Sequence, residues 1–486
     1  MALGVTLKVG FALLAASLLG FASPGAAAAA TDRYEVDLPA DYTGMPDGLP
    51  AYAGPERLHP AEPIRSHTGS RFYRVHVQSQ RDAAALAEAA EALHLDLMGS
   101  IAVPGEINVL VPADSLVPFR RLSLRANVLG GHADAAQMIE AARVENDRAR
   151  FESFATLQQV GIERFGLGVD NDPWYDAYHS LNETYAWLDD LEAAYPAGGL
   201  VSVERVSAGR TYLGNDQAGV RIKVRGATPR KAAVIIGGEH AREWVTIPTV
   251  QGVLQTFLER AAAGDQEILE YLSKIDWHFF PVFNPDGYDH SWTSDRLWRK
   301  NRVPNKGSVC VGTDINRNWG KNWNTGGSSP QPCSDAYHGT GAFSAHESRN
   351  MNNYLMALQR TGVHVLSFID QHAYSQLWMY PPGFTCSEVT PEHDLLEAVG
   401  TACADAIYQA GFQTVYKAGT ICRIIYQASG GSVDHTYYNL DIPFSYAIEG
   451  RDVGRHGFEL PPAQIRPSVI ETFEAYRVLG RAFLDY

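Results

Sequence analysis

The chain has 486 residues, of which 45% are hydrophobic and 20% are charged, a composition typical of a globular protein with a sizeable core. At roughly 150 residues per domain, this length predicts two to four domains. The formal net charge of −15 argues against a nucleic-acid partner, because a phosphate backbone has to be met by a basic surface. The same charge does not discriminate between small and peptide substrates.

The N-terminus has the pattern of a secretory signal peptide. Lys8 supplies a short positive region, residues 9–21 form a nearly unbroken apolar run, and residues 28–30 are an Ala-Ala-Ala cleavage site. A transmembrane anchor is the alternative, but the run is short for a bilayer, which needs about 20 apolar residues. We therefore predict a signal peptide over residues 1–30 and a secreted, extracellular, soluble protein without a membrane span.

The next part of the chain predicts a small α+β domain. Residues 31–70 are rich in Pro, Gly and Asp and predict an irregular segment. The following pattern predicts alternating strands and helices, at 72–77 (strand), 82–94 (helix), 106–111 (strand), 114–122 (helix) and 126–129 (strand). Two helices on a small antiparallel sheet form an independent domain. The charged stretch 141–164 is helical in composition and predicts a connector.

From about Trp174 onward, helical stretches alternate with apolar strands. The strands are predicted at 231–238, 275–283, 364–370 and 442–448. This alternation indicates an α/β domain with a mixed or mostly parallel sheet.

Three of these strands end in reactive side chains. The first runs into His240 and Glu243, the third into His372 and the last into Glu449. Ligands of open α/β sheets bind beyond the carboxyl ends of the strands. Two histidines and one carboxylate with an open fourth position are typical of catalytic zinc, and a further carboxylate nearby would serve as general base. The strand ends therefore predict a metal site.

The His-x-x-Glu spacing alone is weak evidence for a metal site. It occurs three times, at His59/Glu62, His240/Glu243 and His456/Glu459. A surface or core role explains most lone matches of this kind. Of the three, the middle match follows a predicted strand, which favours it.

Seven ordered motifs resemble those of the metallocarboxypeptidases of the pancreatic A/B type, over roughly residues 174–486. They are 238–244 (GEHAREW), 284–288 (NPDGY), 296–302 (RLWRKNR), 314–319 (DINRNW), 372–376 (HAYSQ), 425–432 (IYQASGGS) and 449–452 (EGRD). The resemblance implies the carboxypeptidase fold, an α/β domain with a mixed, mostly parallel eight-stranded sheet flanked by helices.

The resemblance also implies the domain organisation and the activity. Residues 31–165 are expected to be an activation pro-segment, with a ferredoxin-like α+β pro-domain and a helical connector, and residues 166–486 the zinc carboxypeptidase catalytic domain. The implied protein is a zymogen that binds one Zn²⁺ per chain and removes C-terminal residues from peptides or proteins. A processing protease would be its activating partner.

By the same resemblance, five residues carry the chemistry. His240, Glu243 and His372 match the zinc ligands. Glu449 matches the base that activates the attacking water, and Arg299 matches the arginine that polarises the scissile carbonyl together with the zinc. A carboxylate close to a catalytic zinc is suited to accept a proton from water.

The resemblance assigns other residues to the substrate. Asn316, Arg317 and Tyr426 match the group that holds the substrate's C-terminal carboxylate, for which a guanidinium is a natural receptor. Asp314 matches an acid that orients a metal-binding imidazole. Arg242 lies between two ligands, which favours substrate binding over a surface role.

For several neighbouring side chains both a packing role and a functional role stay open. Tyr374 is equally compatible with packing and with substrate binding. Phe458 is as well explained by packing as by a subsite wall. His435 and Trp244 are expected to be structural.

The pocket for the departing side chain is expected to carry no charge. By resemblance its lining comprises Met379, Gly383, Ile421, Ile425, Ala428, Val433 and Ala447. Basic-specific relatives place an acid at the position of Val433. We therefore predict release of aliphatic and aromatic residues and rejection of basic ones. Asp434 is expected to face away, because neighbouring residues of an extended segment point to opposite sides.

Five cysteines agree with export, and their odd number predicts two disulfides and one free thiol, although spacing alone does not assign the pairs. The resemblance implies the pairs Cys310–Cys333 and Cys386–Cys422. Cys403 would then stay free in an apolar helical stripe. A single glycosylation sequon begins at Asn182 and is also consistent with export.

Two other functions remain as alternatives. One is a zinc amidase or cell-wall peptidase on the same scaffold, against which the carboxylate receptor of Asn316, Arg317 and Tyr426 argues. The other is a weak or inactive carboxypeptidase-like protein with a cell-wall or binding role. Glu449 argues against the second alternative, because such proteins tend to lose the base.

Overall fold

The first described elements build a small four-stranded domain. The computed structural model describes residues 65–98, 104–122, 124–128 and 134–486, all within one unit, Leu38–Tyr486. The predicted signal peptide, most of the predicted irregular segment and Leu129 lie outside the described residues. The elements of the small domain are β1 (Arg71–Val77), α1 (Gln80–Ala92), β2 (Asp96–Met98), β3 (Gly105–Val111), α2 (Leu116–Arg120) and β4 (Arg125–Val128).

The strands of the small domain form an antiparallel sheet in the order β2-β3-β1-β4. The βαββαβ succession with this strand order confirms the ferredoxin-like fold. Helix α1 begins with a capping box, in which Ser79 accepts from the Asp82 backbone and the Asp82 side chain accepts from Ser79. Strand β2 was not predicted, because three residues are too few to show an alternating pattern.

A long helix, α3 (Ala135–Val160), connects the small domain to the rest of the chain and ends in a 3₁₀ turn, Gly161–Gly166. The stretch 141–164, predicted to be helical, lies in α3 and in this 3₁₀ turn. Asp134 caps α3 by accepting from the backbone of Ala136, and it also accepts from Gly69 next to β1. The start of the connector is thereby tied to the small domain.

A mixed sheet of eight strands forms the centre of the larger domain, in the order β11-β10-β12-β9-β7-β8-β6-β5. Pairs β7–β8, β7–β9, β9–β12 and β10–β11 are parallel, and β5–β6, β6–β8 and β10–β12 are antiparallel. The strands are β5 (Val201–Arg210), β6 (Asp216–Val224), β7 (Lys231–Gly237), β8 (Ile275–Phe280), β9 (His364–His372), β10 (Leu377–Tyr380), β11 (Lys417–Thr420) and β12 (Phe444–Glu449). The expected sheet is confirmed.

Helices cover both faces of this sheet. They are α4 (Leu181–Ala194), α5 (Thr246–Ala262), α6 (Gln266–Lys274), α7 (Pro285–Thr293), α8 (His346–Arg360), α9 (His393–Gln409), α10 (Ile421–Ile424), α11 (Ser432–Leu440) and α12 (Ile465–Asp485). Along β7, Ala233 and Ile235 pack into one core, while Val234 and Ile236 pack into the other. A strand buried on both faces reads as a continuous apolar run, which is why β7 was predictable.

The cysteine expectations are confirmed. Disulfides join Cys310 to Cys333 and Cys386 to Cys422, and Cys403 is a buried free thiol in α9. Within the described ranges, no helix combines the length and the apolar character that a membrane span requires.

One local expectation is wrong. Val433 and Asp434 do not lie in an extended segment but in the first turn of α11. Successive residues of a helix are separated by about 100° around the axis, so the two side chains need not face opposite sides.

Candidate functional site

The predicted reactive residues meet at one edge of the large sheet. Strands β12, β9 and β7 are adjacent and parallel, so their carboxyl ends lie side by side. His240 and Glu243 lie in the turn after β7, while His372 and Glu449 end β9 and β12 and are paired with each other in the sheet register. The sheet thus brings together the four residues predicted at three strand ends.

Both histidines direct the same ring nitrogen at Glu243. His240 Nδ1 lies 2.8 Å from Glu243 Oε1, and His372 Nδ1 lies 3.0 Å from Glu243 Oε2. All three side chains are buried. Two imidazole nitrogens and one carboxylate that converge in this way match the donor set of a catalytic zinc, so these residues fit the ion.

The outer nitrogen of each imidazole faces a second buried carboxylate. His240 Nε2 lies 3.1 Å from Asp314 Oδ1, and His372 Nε2 lies 3.0 Å from Asp370 Oδ2. Asp314 was expected from the sequence, whereas Asp370 was not. Asp370 precedes His372 by two residues in the same strand, and residues two apart in a strand lie on the same face. This spacing was the sequence feature that could have identified Asp370 as a neighbour of His372.

Glu239 offers an alternative set of ligand atoms. Atoms of Glu239, His240 and His372 lie within 4.8 Å of one another. However, Glu239 Oε2 lies 3.5 Å from Nε2 of His372, the nitrogen opposite the one that faces Glu243. Glu239 Oε1 accepts from Trp319 Nε1 at 3.3 Å. Glu239 was likewise not expected from the sequence.

Glu449 and Arg299 flank the histidines. Burial and the Glu243 carboxylate raise the pKa of Glu449 to about 8, and its Oε2 has no hydrogen-bond partner among the described residues. Arg299 donates to Asp314 Oδ2 at 2.8 Å and has Nη1 4.0 Å from Glu243 Oε1. Burial opposes the charge of Arg299, but the Asp314 carboxylate raises its pKa above the ordinary value. A fixed cation therefore lies beside the predicted metal ligands.

The three residues expected to hold a carboxylate also meet. Asn316 and Arg317 lie in a 3₁₀ turn, Ile315–Arg317. Arg317 is oriented by donating to Gly327 O at 2.8 Å, and its Cζ lies 5.7 Å from the centre of the Tyr426 ring. Asn316 Oδ1 accepts from the Ser432 backbone at 2.9 Å. Backbone contacts thus fix the positions of two of the three.

These groups line one cleft with about 520 Å³ of empty space. His240, His372, Glu449, Arg299, Asn316, Arg317 and Tyr426 contribute to it, as do all seven residues expected around the departing side chain: Met379, Gly383, Ile421, Ile425, Ala428, Val433 and Ala447. The expected pocket residues are therefore neighbours in space.

Asp434 also lines the cleft, so the expectation that it faces away is wrong. Its carboxylate accepts from the backbone N–H groups of Gly383 and Phe384, each at 2.9 Å. Burial raises the pKa of Asp434 to about 6 despite these two bonds. Its oxygens thus serve the loop that closes one wall of the pocket.

The small domain contacts Arg242, Tyr374 and Gly454, which lie close in the sequence to the predicted ligands and base and are called the rim below. Asp96 forms an ion pair of 2.6 Å with Arg242, and Tyr374 donates to Met98 O at 2.7 Å. Arg242 also stacks over Phe458, with Cζ 4.4 Å from the ring centre. Arg242, which was predicted to bind substrate, and Tyr374, for which packing and substrate binding were both left open, contact β2 in this form of the chain.

The rim holds a further contact with the small domain. Asn108 on β3 donates to Gly454 O at 2.8 Å, and Arg74 on β1 donates to the same oxygen. Three strands of the small domain therefore contribute contacts at the rim.

Comparison with known proteins agrees with this geometry. The family model described as zinc carboxypeptidase matches residues 184–475. A metallocarboxypeptidase A-like protein of Trichophyton verrucosum is 34% identical over 380 residues, 78% of this chain and 85% of that protein. An inactive metallocarboxypeptidase, ecm14, of Talaromyces marneffei is 30% identical over 452 residues, 87% of this chain and 74% of that protein.

Among solved structures, thrombin-activatable fibrinolysis inhibitor is similar with a TM-score of 0.73 and 25% identity, over 86% of this chain and 99% of that one. The family match spans more than half of the chain, and it coincides with the domain that carries the cleft. The chain therefore belongs to the zinc carboxypeptidase family and is a metallocarboxypeptidase, a peptide hydrolase whose metal is zinc.

Proposed function

We propose that this protein is a secreted exopeptidase, made as a zymogen, that hydrolyses the C-terminal peptide bond and releases aliphatic or aromatic residues. One observation carries the proposal: two of the three proposed metal ligands, an unpartnered carboxylate oxygen, a carboxylate receptor and a pocket built mainly from apolar side chains line a single cleft. An exopeptidase needs all four within the length of one terminal residue.

His240, Glu243 and His372 are the proposed zinc ligands, because both Nδ1 atoms and both Glu243 oxygens point to the same space. Zinc bound there supplies Lewis-acid polarisation and lowers the pKa of water. Glu449 would accept the proton of the attacking water and return it to the leaving amine. Arg299 would hold the carbonyl oxygen of the scissile bond as it gains charge.

Asn316, Arg317 and Tyr426 would hold the substrate's terminal carboxylate. A guanidinium offers paired N–H donors, and the amide and the phenol add directed hydrogen bonds. With the carboxylate fixed there, the preceding peptide bond would reach Glu449 and Arg299, while the last side chain enters the pocket at Val433.

The pocket favours apolar residues on physical grounds. A buried Lys or Arg would need a counter-ion, and an unpaired charge costs several kcal/mol. Val433 cannot supply one, and the Asp434 carboxylate is held by the backbone of Gly383 and Phe384 while burial raises its pKa to about 6, which disfavours its charged form. An apolar side chain instead gains roughly 25 cal/mol per Å² buried.

The proposed zymogen has a signal peptide at 1–30, a pro-segment at 31–165 and the catalytic domain at 166–486. Its support is the set of contacts at the rim, where Asp96 and Met98 contact Arg242 and Tyr374. A peptide that extends from the cleft toward these two residues would meet β2. A processing protease would remove the block by cutting the connector.

An inactive protein with a binding role is the second candidate, and similarity to an inactive metallocarboxypeptidase favours considering it. The chain retains Glu449 and Arg317, the base and the carboxylate-binding cation, and both line the cleft. We therefore favour an active enzyme.

A scan of C-terminal residues tests the proposal. The processed protein is given peptides that end in Phe, Leu, Lys or Arg, and the same peptides with an amidated C-terminus. We expect cleavage of Phe and Leu peptides, loss of activity with a chelator and recovery with zinc. Equal cleavage of amidated peptides would instead indicate an amidase, and no cleavage by the zinc-loaded protein would indicate the inactive candidate.

A further inference from the structure

Two buried carboxylates stand behind the two zinc-binding histidines in the same way. Asp314 lies at Nε2 of His240 and Asp370 at Nε2 of His372, at 3.1 and 3.0 Å. A neutral imidazole has one lone pair and one N–H, so a histidine that binds an ion through Nδ1 carries its proton on Nε2. Each carboxylate is thus placed to accept that proton's hydrogen bond.

The surroundings of Asp370 hold it in this position. The side chain is fully buried on β9, and the Ser432 hydroxyl donates to Oδ2, the same oxygen that faces His372. Asn316 Nδ2 also lies 3.0 Å from His372 Nε2. The amide N–H of Asn316 cannot accept a hydrogen bond from a ring N–H. When His372 carries its proton on Nε2, the acceptor is therefore the Asp370 carboxylate.

Glu239 lies on the outer side of the same histidine. Its Oε2 approaches Nε2 of His372, and its other oxygen accepts from Trp319. If Glu239 were a ligand, His372 would have to bind the ion through Nε2 and turn Nδ1 away from it. His240 and His372 would then present different nitrogens, although both Nδ1 atoms lie within 3.0 Å of Glu243.

We propose that Asp370 is a positioning residue that fixes the tautomer and orientation of His372, and that Glu239 belongs to this outer layer and is not a zinc ligand. The inference rests on the proposed ligand set of His240, Glu243 and His372. Carboxylates behind zinc-binding histidines raise ligand basicity, and their removal commonly weakens metal binding 10- to 100-fold.

The test measures metal binding on the full-length chain. Zinc dissociation constants are determined by chelator competition for the parent and for Asp370→Asn, Ser432→Ala, Glu239→Gln and Glu243→Gln. Cobalt absorption spectra of the same proteins report the ligand geometry. Thermal unfolding of the metal-free variants separates a folding defect from a loss of affinity.

We expect Asp370→Asn to weaken zinc binding about 10- to 100-fold and to shift the cobalt spectrum. Ser432→Ala, which keeps the carboxylate, should weaken binding by less, and Glu239→Gln should stay within about threefold of the parent. Glu243→Gln should lose most affinity. Parent-like affinity of Asp370→Asn would overturn the proposal, as would a loss in Glu239→Gln as large as that in Glu243→Gln.

These measurements do not depend on peptide hydrolysis. Zinc binding that follows the expected order in a protein without peptidase activity would refute the proposed function and leave the positioning role intact. If Asp370→Asn keeps full peptidase activity and the parent's zinc affinity, the positioning role is refuted and the proposed function stands.

Discussion

At the scale of single residues, the buried carboxylates of the site differ in whether their oxygens accept hydrogen bonds from the protein. Both oxygens of Asp314 and of Asp434 accept hydrogen bonds from groups inside the protein. Glu449 keeps one oxygen without a partner among the described residues, and it lines the cleft. Asp370 and Glu239 also have an oxygen without a partner in the described part of the chain, but neither lines the cleft, so Glu449 is the acid that a substrate can reach.

Replacing Glu449 by Gln tests that distinction. The amide keeps the volume of the side chain but cannot accept a proton from water, so we expect kcat to fall by about 10²- to 10⁴-fold. Zinc content should match the parent, because Glu449 is not among the proposed ligands. Metal analysis and steady-state kinetics measure both, and turnover at the parent rate would contradict the assigned role.

Replacing Val433 by Asp tests the pocket. The new carboxylate would face the departing side chain, so we expect the preference, measured as kcat/KM, to shift from Leu and Phe toward Lys and Arg. Val433→Asn has nearly the same shape without the charge and serves as the control. An equal shift in both variants would show that polarity or space, not charge, sets the preference.

At the scale of elements, strand β2 is the part of the small domain whose residues meet Arg242 and Tyr374. Burial raises the pKa of Asp96 to about 6, although Arg242 opposes the shift and the neighbouring Asp335 adds to it. A free Asp has a pKa near 3.9, so the docked domain binds a proton more tightly than the released one. Docking is then strongest below pH 4 and weakens as the pH rises through about 6.

The consequence is measurable after the connector is cut. We expect the affinity of the released segment for the catalytic domain to fall about tenfold from pH 5 to pH 7. Asp96→Asn removes the titrating group and should abolish most of this slope. Gel filtration of the cut protein at several pH values measures the bound fraction, and an unchanged slope in the variant would exclude Asp96 as its source.

The sequence predicted those elements whose burial is uniform and whose length is sufficient. β7 and β9 are buried along nearly their whole length and were predicted, while β10 and β11 have only four residues each and were not. The error at Asp434 came from taking a helix start for an extended segment. No local pattern marks such a start, because Gly431 caps it without a side-chain hydrogen bond.

The site was predictable in part for a different reason. His240, Glu243 and His372 follow strands and belong to motifs, so position and resemblance agreed. Glu239 and Asp370 are also at strand ends, yet their roles depend on which nitrogen of His372 they face. That choice is set by packing between β7, β9 and α11, which are distant in the sequence.

At the scale of the whole molecule, the connector has both protected and accessible parts. Helix α3 is hydrogen-bonded throughout, and Arg164 and Phe165 are buried. Ile162 is 47% exposed and Leu167 is 40% exposed, and both lie outside α3. Proteases need an exposed segment that can extend locally, so these two short stretches are the accessible ones.

Limited proteolysis should therefore cut first between residues 160 and 168, close to residue 165, the predicted end of the pro-segment. Peptidase activity should rise with the cut, and mass spectrometry of the new terminus identifies the bond. The same protease acting on the unfolded chain controls for sequence preference. First cuts inside α3, or equal activity before and after cutting, would contradict the zymogen model.

His372 and Glu449 are paired in the β9–β12 ladder, so the sheet register fixes the distance between them. The spacing between the proposed ligand His372 and the proposed base Glu449 therefore depends on strand pairing and not on the length of the connecting loops. A shift of the β9–β12 register by one residue would turn one of the two side chains to the opposite face of the sheet. We therefore expect no gradual loss of activity on heating: peptidase activity and sheet structure should disappear at the same temperature, as one event.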